Sequence, residues 1–256
     1  MRDLTRDIGW RKPLHDHCHI HGECTGRAAS LAVTDSAANS PQTVALSGTG
    51  VQAVVLNTTS LNLGNQTEGT TSLSKAVALK NNLNSLLTIS DIATSGDFGQ
   101  SNTCGSNLPA KRKCTINVTF TPTGTGTRNG TLTVTDNASN SPQTASLTGI
   151  GVAQAVVSPT SLTFAAQKVG TTSAAEHVML TNNLSTALAI SITFIGANMG
   201  DFSETDTCGG SVPAKSHCTL SVIFAPTGTG PRSATLNVTD TANNNPQTVS
   251  LTGTGK

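Results

Sequence analysis

Between Leu14 and Cys24 the chain reads LHDHCHIHGEC, a dense run of metal-ligating side chains. Drawn out as a strand, it places His15, His17, His19 and His21 on one face and Cys18 on the other. With Cys24, these are ligands that zinc or copper accepts. Four further cysteines fall in two equally spaced pairs, Cys104 with Cys114 and Cys208 with Cys218. Thiols so placed can be disulfides, metal ligands or buried free thiols. Asp35, Asp136 and Asp240 each follow a Val-Thr step, with Asn39, Asn140 and Asn244 close behind, oxygens of the kind calcium takes. PTGTG at Pro122–Gly126 and again at Pro226–Gly230 has the outline of a phosphate loop.

Most of these motifs lose their chemistry when the requirements are applied. A calcium site needs more than one carboxylate, and the Asp-to-Asn stretches read better as hairpin turns with Asx bonding and a proline before the next strand. PTGTG lacks the Lys-Ser/Thr step and the following helix of a phosphate loop, so it is a turn between strands. His177 and Glu204 each occur once, and no Ser-His-Asp or Cys-His set recurs. The sequons at Asn117, Asn129, Asn137, Asn183 and Asn237 are what a chain rich in Asn and Thr produces by chance. No catalytic residue is expected.

The elements that hold these residues are strands. Of the 256 residues, 11% are charged and 3% aromatic, and Tyr is absent. Thr and Val favour strands, while Asn, Gly and Ser supply turns. No long period of 3.6 rich in Ala, Leu, Glu and Lys is present, so the class is all-β. A net charge of +1 without a basic run leaves no nucleic-acid footprint. The longest apolar runs, such as Val51–Leu56, are far too short to span a bilayer.

A long internal repeat organises the rest. TCGSNLPAKRKCTINVTFTPTGTG, from Thr103, returns as TCGGSVPAKSHCTLSVIFAPTGTG from Thr207, and the likeness runs on to Gly151 and Gly255. Upstream, SLNLGNQTEGTTS (Ser60–Ser72) matches SLTFAAQKVGTTS (Ser161–Ser173), with a small insertion around Ala197–Met199. A period of about 100 residues suits an immunoglobulin-like β-sandwich of about seven strands. Units are expected over residues 51–151 and 152–256. Residues 25–50 match only the last two strands of such a unit. Cys114, Ile116, Val118 and Phe120 alternate onto one face, as do Cys218, Leu220, Val222 and Phe224. Phe98 and Phe202 follow Gly-Asp and are expected to plug the cores from loops. Linkers this short make the array a semi-rigid rod.

The pattern S-L-x-F/L, G-T-T-S, N-N, G-D-F, T-C-G, A-K-x-x-C-T-I/L-x-V-x-F and P-T-G-T-G, closing on P-Q-T and L-x-G-x-G, resembles bacterial choice-of-anchor D repeats. These belong to the ASH, MSP and PapD-like group of immunoglobulin-like sandwiches. The resemblance spans residues 25–255 and implies secreted or cell-envelope multi-repeat proteins without intrinsic catalysis or cofactor. In such a context Cys104–Cys114 and Cys208–Cys218 read as one disulfide per unit. The expected role is a structural spacer or adhesive segment, monomeric within a longer array, whose ligand is an unknown protein or surface. Binding of a protein through a sandwich face or edge strand is the alternative.

The histidine segment has a second explanation in the genetic code. Reading CTG-CAC-GAT-CAC-TGT-CAC-ATT-CAC for Leu14–His21 one base later spells Cys-Thr-Ile-Thr-Val-Thr-Phe, the motif at Cys114–Phe120. Residues 1–24 are therefore expected to be a non-native or disordered segment, an out-of-frame copy of the preceding repeat, with metal binding as the alternative.

Overall fold

A computed structural model describes residues 27–256. The first two strands, β1 (Arg27–Val33) and β2 (Gln42–Gly48), form an isolated antiparallel hairpin. The first complete unit follows as β3 (Val54–Leu56), β4 (Ser60–Thr67), β5 (Lys75–Asn81), β6 (Leu87–Thr94), β7 (Phe98–Asn102), β8 (Asn107–Leu108), β9 (Lys113–Phe120), β10 (Gly126–Asp136) and β11 (Gln143–Val152). The second repeats the order as β12 (Ala155–Ser158), β13 (Ser161–Thr163), β14 (Glu176–Asn182), β15 (Leu188–Ile195), β16 (Phe202–Asp206), β17 (Ser211–Val212), β18 (His217–Phe224), β19 (Gly230–Asp240) and β20 (Gln247–Gly255).

Each unit is a sandwich of a five-stranded and a four-stranded sheet, in the orders β4-β11-β10-β6-β8 over β3-β5-β9-β7 and β13-β20-β19-β15-β17 over β12-β14-β18-β16. Where about seven strands are expected, nine form. The added ones are short: β8 and β17 have two residues each and pair only with β6 and β15, so they carry no alternation to read. The additional residues near Ala197 become a 3₁₀ turn, Met199–Asp201, and leave the sheets intact.

Alternation decides what is buried. Along β9, Cys114, Ile116, Val118 and Phe120 are buried, and along β18 so are Cys218, Leu220, Val222 and Phe224. Each Val, Leu, Ile and Phe of these rows contributes about 1.5–3 kcal/mol when removed from water. These rows feed two separate cores, one drawn from Val54–Leu147 and one from Ala155–Leu251. Phe98 stacks on Phe120 with ring centroids 4.9 Å apart, and Phe202 on Phe224 at 5.0 Å. Neither Phe98 nor Phe202 sits in a loop, contrary to expectation. Each opens a strand, because its backbone pairs across the ladder with the very phenylalanine it stacks on.

The closing G-x-G of each unit makes room for this packing. A Cβ on Gly149 would lie 2.5 Å from the Phe120 ring, and one on Gly253 2.6 Å from Phe224. On Gly151 it would meet the carbonyl oxygen of Gly124 at 2.0 Å, and on Gly255 that of Gly228 at 2.1 Å. The last strand can thus run beneath the aromatic pair and against the PTGTG turn only without side chains.

Candidate functional site

The cysteines stand where the repeat brings β7 back to β9, and β16 back to β18. Cys104 and Cys114 are joined by an S–S bond of 2.12 Å, Cys208 and Cys218 by one of 2.06 Å. All four are buried members of their cores. Each bridge closes a short loop against the strand that carries the central apolar row.

The aspartate after β1 and those that close β10 and β19 build turns. Asp35, Asp136 and Asp240 accept hydrogen bonds from the backbone N–H groups of Ala37, Ala138 and Ala242 through Oδ1 at 2.8, 2.8 and 2.7 Å. Their own N–H groups donate to Ser40, Ser141 and Asn245 side chains. Burial pushes the Asp240 carboxyl up, against the bonds from Ala242 and Gln247. Asn140 bonds to Val54 through both polar atoms of its amide. It accepts from the Val54 N–H at 3.3 Å and donates to the Val54 carbonyl at 2.7 Å. Asn244 does the same to Ala155, at 3.2 and 2.7 Å. Each asparagine thereby ties a hairpin of one sheet to the first strand of the other. Among the described residues no group of three or more His, Cys, Asp or Glu side chains converges as metal ligands. The segment with His15, His17, Cys18, His19, His21 and Cys24 lies outside the described residues.

Each PTGTG turn is tied to a charged pair. Asp97, three residues after β6 and just before Phe98, accepts from Arg128 Nε at 2.5 Å and from the Thr123 hydroxyl at 2.9 Å. Asp201 likewise binds Arg232 Nε, the Thr227 hydroxyl at 2.6 Å and the Thr227 N–H at 3.0 Å. The guanidinium of Arg128 holds Asp97 below the usual carboxylate range. Around Asp201 burial is the largest influence and works upward, yet the Arg232 and Thr227 donors together hold the carboxyl down. The motif G-D-F is visible in the sequence, but its partner lies far along the chain, and no local period links them.

Glu204 on β16 differs. Burial first, then the charge of Asp206, pushes its carboxyl up, and its Oε2 is buried without a hydrogen-bond partner. Its counterpart Gln100 donates from Nε2 to the Ile92 carbonyl at 2.8 Å. His177, on β14, is exposed and within 3.1 Å of the Ser221 hydroxyl. Asn81 and Asn182, fully buried, each lie within hydrogen-bond reach of three carbonyls (Ser85, Leu108 and Pro109; Thr186, Val212 and Pro213). These are the first asparagines of the N-N motifs, and they anchor the ends of β5 and β14.

The junction between units is polar and closed. Only Ala153 and Gln154 separate β11 from β12. Gln154 is 7% exposed; its Nε2 donates to the Glu68 carbonyl of the first unit at 2.9 Å, while its Oε1 accepts from the Asn243 N–H of the second at 2.9 Å. Thr67 donates to the Asn183 carbonyl at 2.9 Å. Lys215 Nζ reaches the Thr67 hydroxyl at 3.3 Å and the Asn183 carbonyl at 2.5 Å. Lys215 takes φ 54°, and its counterpart Lys111 takes φ 61°. Such a left-handed backbone costs a lysine about 1 kcal/mol, and the bond from Nζ to the carbonyl offsets it. Lys215 and Asn183 are visible in the sequence as the Lys of A-K-x-x-C and the second Asn of N-N, without a sign of their shared partner, and Gln154 shows only its place in a short linker.

The remaining candidate is a shallow recess lined by Lys80, Lys111, Arg112 and Lys113. Of its counterparts in the second unit, Thr181, Lys215, Ser216 and His217, Lys215 reaches into the junction just described, and the set holds less charge. Among the described residues no helix is long and apolar enough to cross a membrane.

The family model for Abnormal spindle-like microcephaly-associated, ASPM-SPD-2-Hydin (ASH) matches residues 51–144, and that for Cep192 domain 4 matches residues 156–256. No curated protein matches the chain. Among solved structures, a protein of unknown function from Porphyromonas gingivalis W83 is similar at 11% identity, covering 79% of this chain and 99% of its own, with a TM-score of 0.34. The human CEP192 PapD-like domain 7 is similar at 16% identity over 41% of this chain and 86% of its own, TM-score 0.36. The YadV chaperone is similar at 12% identity over 78% and 100%, TM-score 0.31. Sandwich architecture, repeat and family matches converge: the chain is a tandem of immunoglobulin-like sandwiches, with an ASH-type fold matched over residues 51–144 and a Cep192 domain 4 fold over residues 156–256.

Proposed function

We propose that this chain is a non-catalytic spacer or adhesive segment of a secreted or cell-surface bacterial protein built from many such repeats, of the choice-of-anchor D kind. The fold suits a structural or protein-interaction module, and ASH-type domains are generally without catalysis. The observation that carries the spacer reading is the buried Gln154, which bonds to both units at once and leaves the two-residue linker little freedom. A rod that holds a distal module away from a surface needs that stiffness at every joint. The paired cysteines of both units support an oxidising compartment outside the cytosol.

Because the two cores close within Val54–Leu251, the fragment Val51–Lys256 is suitable for testing. Small-angle scattering is expected to fit one extended arrangement of two sandwiches. A broad spread of interdomain angles overturns the spacer reading. The second reading, capture of a protein by an edge strand, is favoured by β16, which closes one edge of its sheet with mostly exposed residues. A pull-down partner that is lost when Glu204→Pro removes an N–H that faces away from β18 establishes it instead. Metal binding by the histidine segment is separated from both by metal stoichiometry, and the coding DNA decides whether that segment is a shifted frame.

A further inference from the structure

The recess at Lys80, Lys111, Arg112 and Lys113 gathers four cations on one spot of the first unit. Lys80 on β5 lies directly across the ladder from Lys113 on β9. The neighbouring pair, Leu79 and Cys114, is buried, so the two lysines stand side by side on the outer face. Like charges set opposite each other across a ladder work against the sheet. Lys111 and Arg112, in the turn before β9, add two more. Among the described residues the ion pairs are Arg128 with Asp97 and Arg232 with Asp201, so no carboxylate neutralises the four.

The second unit shows that the sandwich does not need this charge. Thr181 faces His217 where Lys80 faces Lys113, and Ser216 stands in place of Arg112. The turn lysine alone recurs, and its role is common to both units. Lys111 Nζ donates to the Asn82 carbonyl at 2.5 Å, as Lys215 Nζ does to that of Asn183. Beneath the cations the backbone is fixed. The Arg112 N–H donates to the Pro109 carbonyl at 3.2 Å, and the Arg112 carbonyl accepts from the Asn81 N–H at 2.9 Å. The buried Asn81 amide holds the Leu108 and Pro109 carbonyls, and Cys114 is tied to Cys104. Cations mounted on so rigid a turn are ordered before any ligand arrives.

We propose that this recess binds an acidic polysaccharide, its cations engaging sulfate or carboxylate groups on neighbouring sugars, an inference that rests on the adhesive form of the reading above. The Arg112 guanidinium offers a planar fork that matches either group, and the three ammonium groups supply point charges around it. Nothing aromatic lines the recess for a nucleobase to stack on, and nothing apolar lines it for insertion into lipid.

Calorimetric titration of the full chain at low salt tests this, with dextran sulfate and polygalacturonate as the sulfate and carboxylate probes and uncharged dextran as the blank. Binding to at least one charged probe is expected, weakening as salt is raised, and the preferred probe identifies the group. Lys80→Thr, Arg112→Ser and Lys113→His together install the second unit's residues, which this fold already accepts. Loss of three exposed ion pairs is expected to weaken binding about tenfold or more. Lys75→Gln, Lys168→Gln and Lys256→Gln remove the same charge elsewhere and are expected to leave affinity within about twofold. A wild-type chain that binds neither charged probe overturns the proposal. So does equal weakening in both variants, full binding by the recess variant, or equally tight binding of single-stranded DNA or phosphatidylglycerol vesicles through the same residues. Each of these results leaves the spacer reading standing, because small-angle scattering of the two sandwiches decides that reading separately.

Discussion

Arg232 and Asp201 form a charged hydrogen bond between β19 and the 3₁₀ turn, with the Asp201 side chain 2% exposed and that of Arg232 19%. The same pair in the first unit, Arg128 and Asp97, is wetter, at 36 and 9%. Removing one partner of a buried pair costs most where water cannot replace it. Asp201→Ala is therefore expected to destabilise its unit by about 3 kcal/mol, and Asp97→Ala its own by about 1.5 kcal/mol. Chemical denaturation of the single variants measures the difference.

The two carboxyls also set the acid limit. Both are held below their ordinary values in the folded state, so their stabilisation is complete above the unfolded value and is lost as pH falls through the folded one. Unfolding midpoints should drop below the usual carboxylate range. In Asp201→Asn the drop should be smaller for the second unit.

Glu204 has the opposite sign. Its carboxyl is raised by burial and by Asp206, so its contribution is present below the ordinary glutamate value and is lost as pH rises through the raised one. Glu204→Gln puts a donor where Gln100 has one. The variant is expected to be more stable than wild type at neutral pH and indistinguishable from it in acid, as read by thermal unfolding across pH.

Each disulfide closes a loop of sequence separation 10. The chain-entropy relation gives about 2–3 kcal/mol for a loop of that size. Replacing Cys208 and Cys218 with Ala should lower the second unit's stability by that amount and leave the first unit's midpoint in place. A shift of both midpoints together would contradict two separate cores.

Gly253→Ala places a methyl against the Phe224 ring and is expected to cost about 1–3 kcal/mol. Gly255→Ala meets backbone at 2.1 Å, which cannot rotate away, and should cost more. Gly200→Ala, with nothing within 4 Å of the added atom, should be neutral. Thermal melts of the three variants give the order directly.

The amino-acid sequence alone determined the all-β class, the doubled unit, the buried alternation of Cys114 to Phe120 and Cys218 to Phe224, and the turn role of Asp136 and Asp240. All of these are local: a period of two is written into neighbouring residues, and an Asx turn closes within a few positions. The repeat added a long-range statement, because two copies of one pattern imply two copies of one core.

Tertiary structure decided the rest. Arg232 finds Asp201 at a separation of 31, and Gln154 finds Asn243 at 89. Asn140, which could be taken for a metal ligand, instead crosses to Val54 in the other sheet. The closing glycines were legible as punctuation, yet their reason is a phenylalanine ring and a turn carbonyl brought beneath them by the stacked sheets. Polar pairing and steric room depend on distance in space, and that distance exists only after the two sheets have closed on each other.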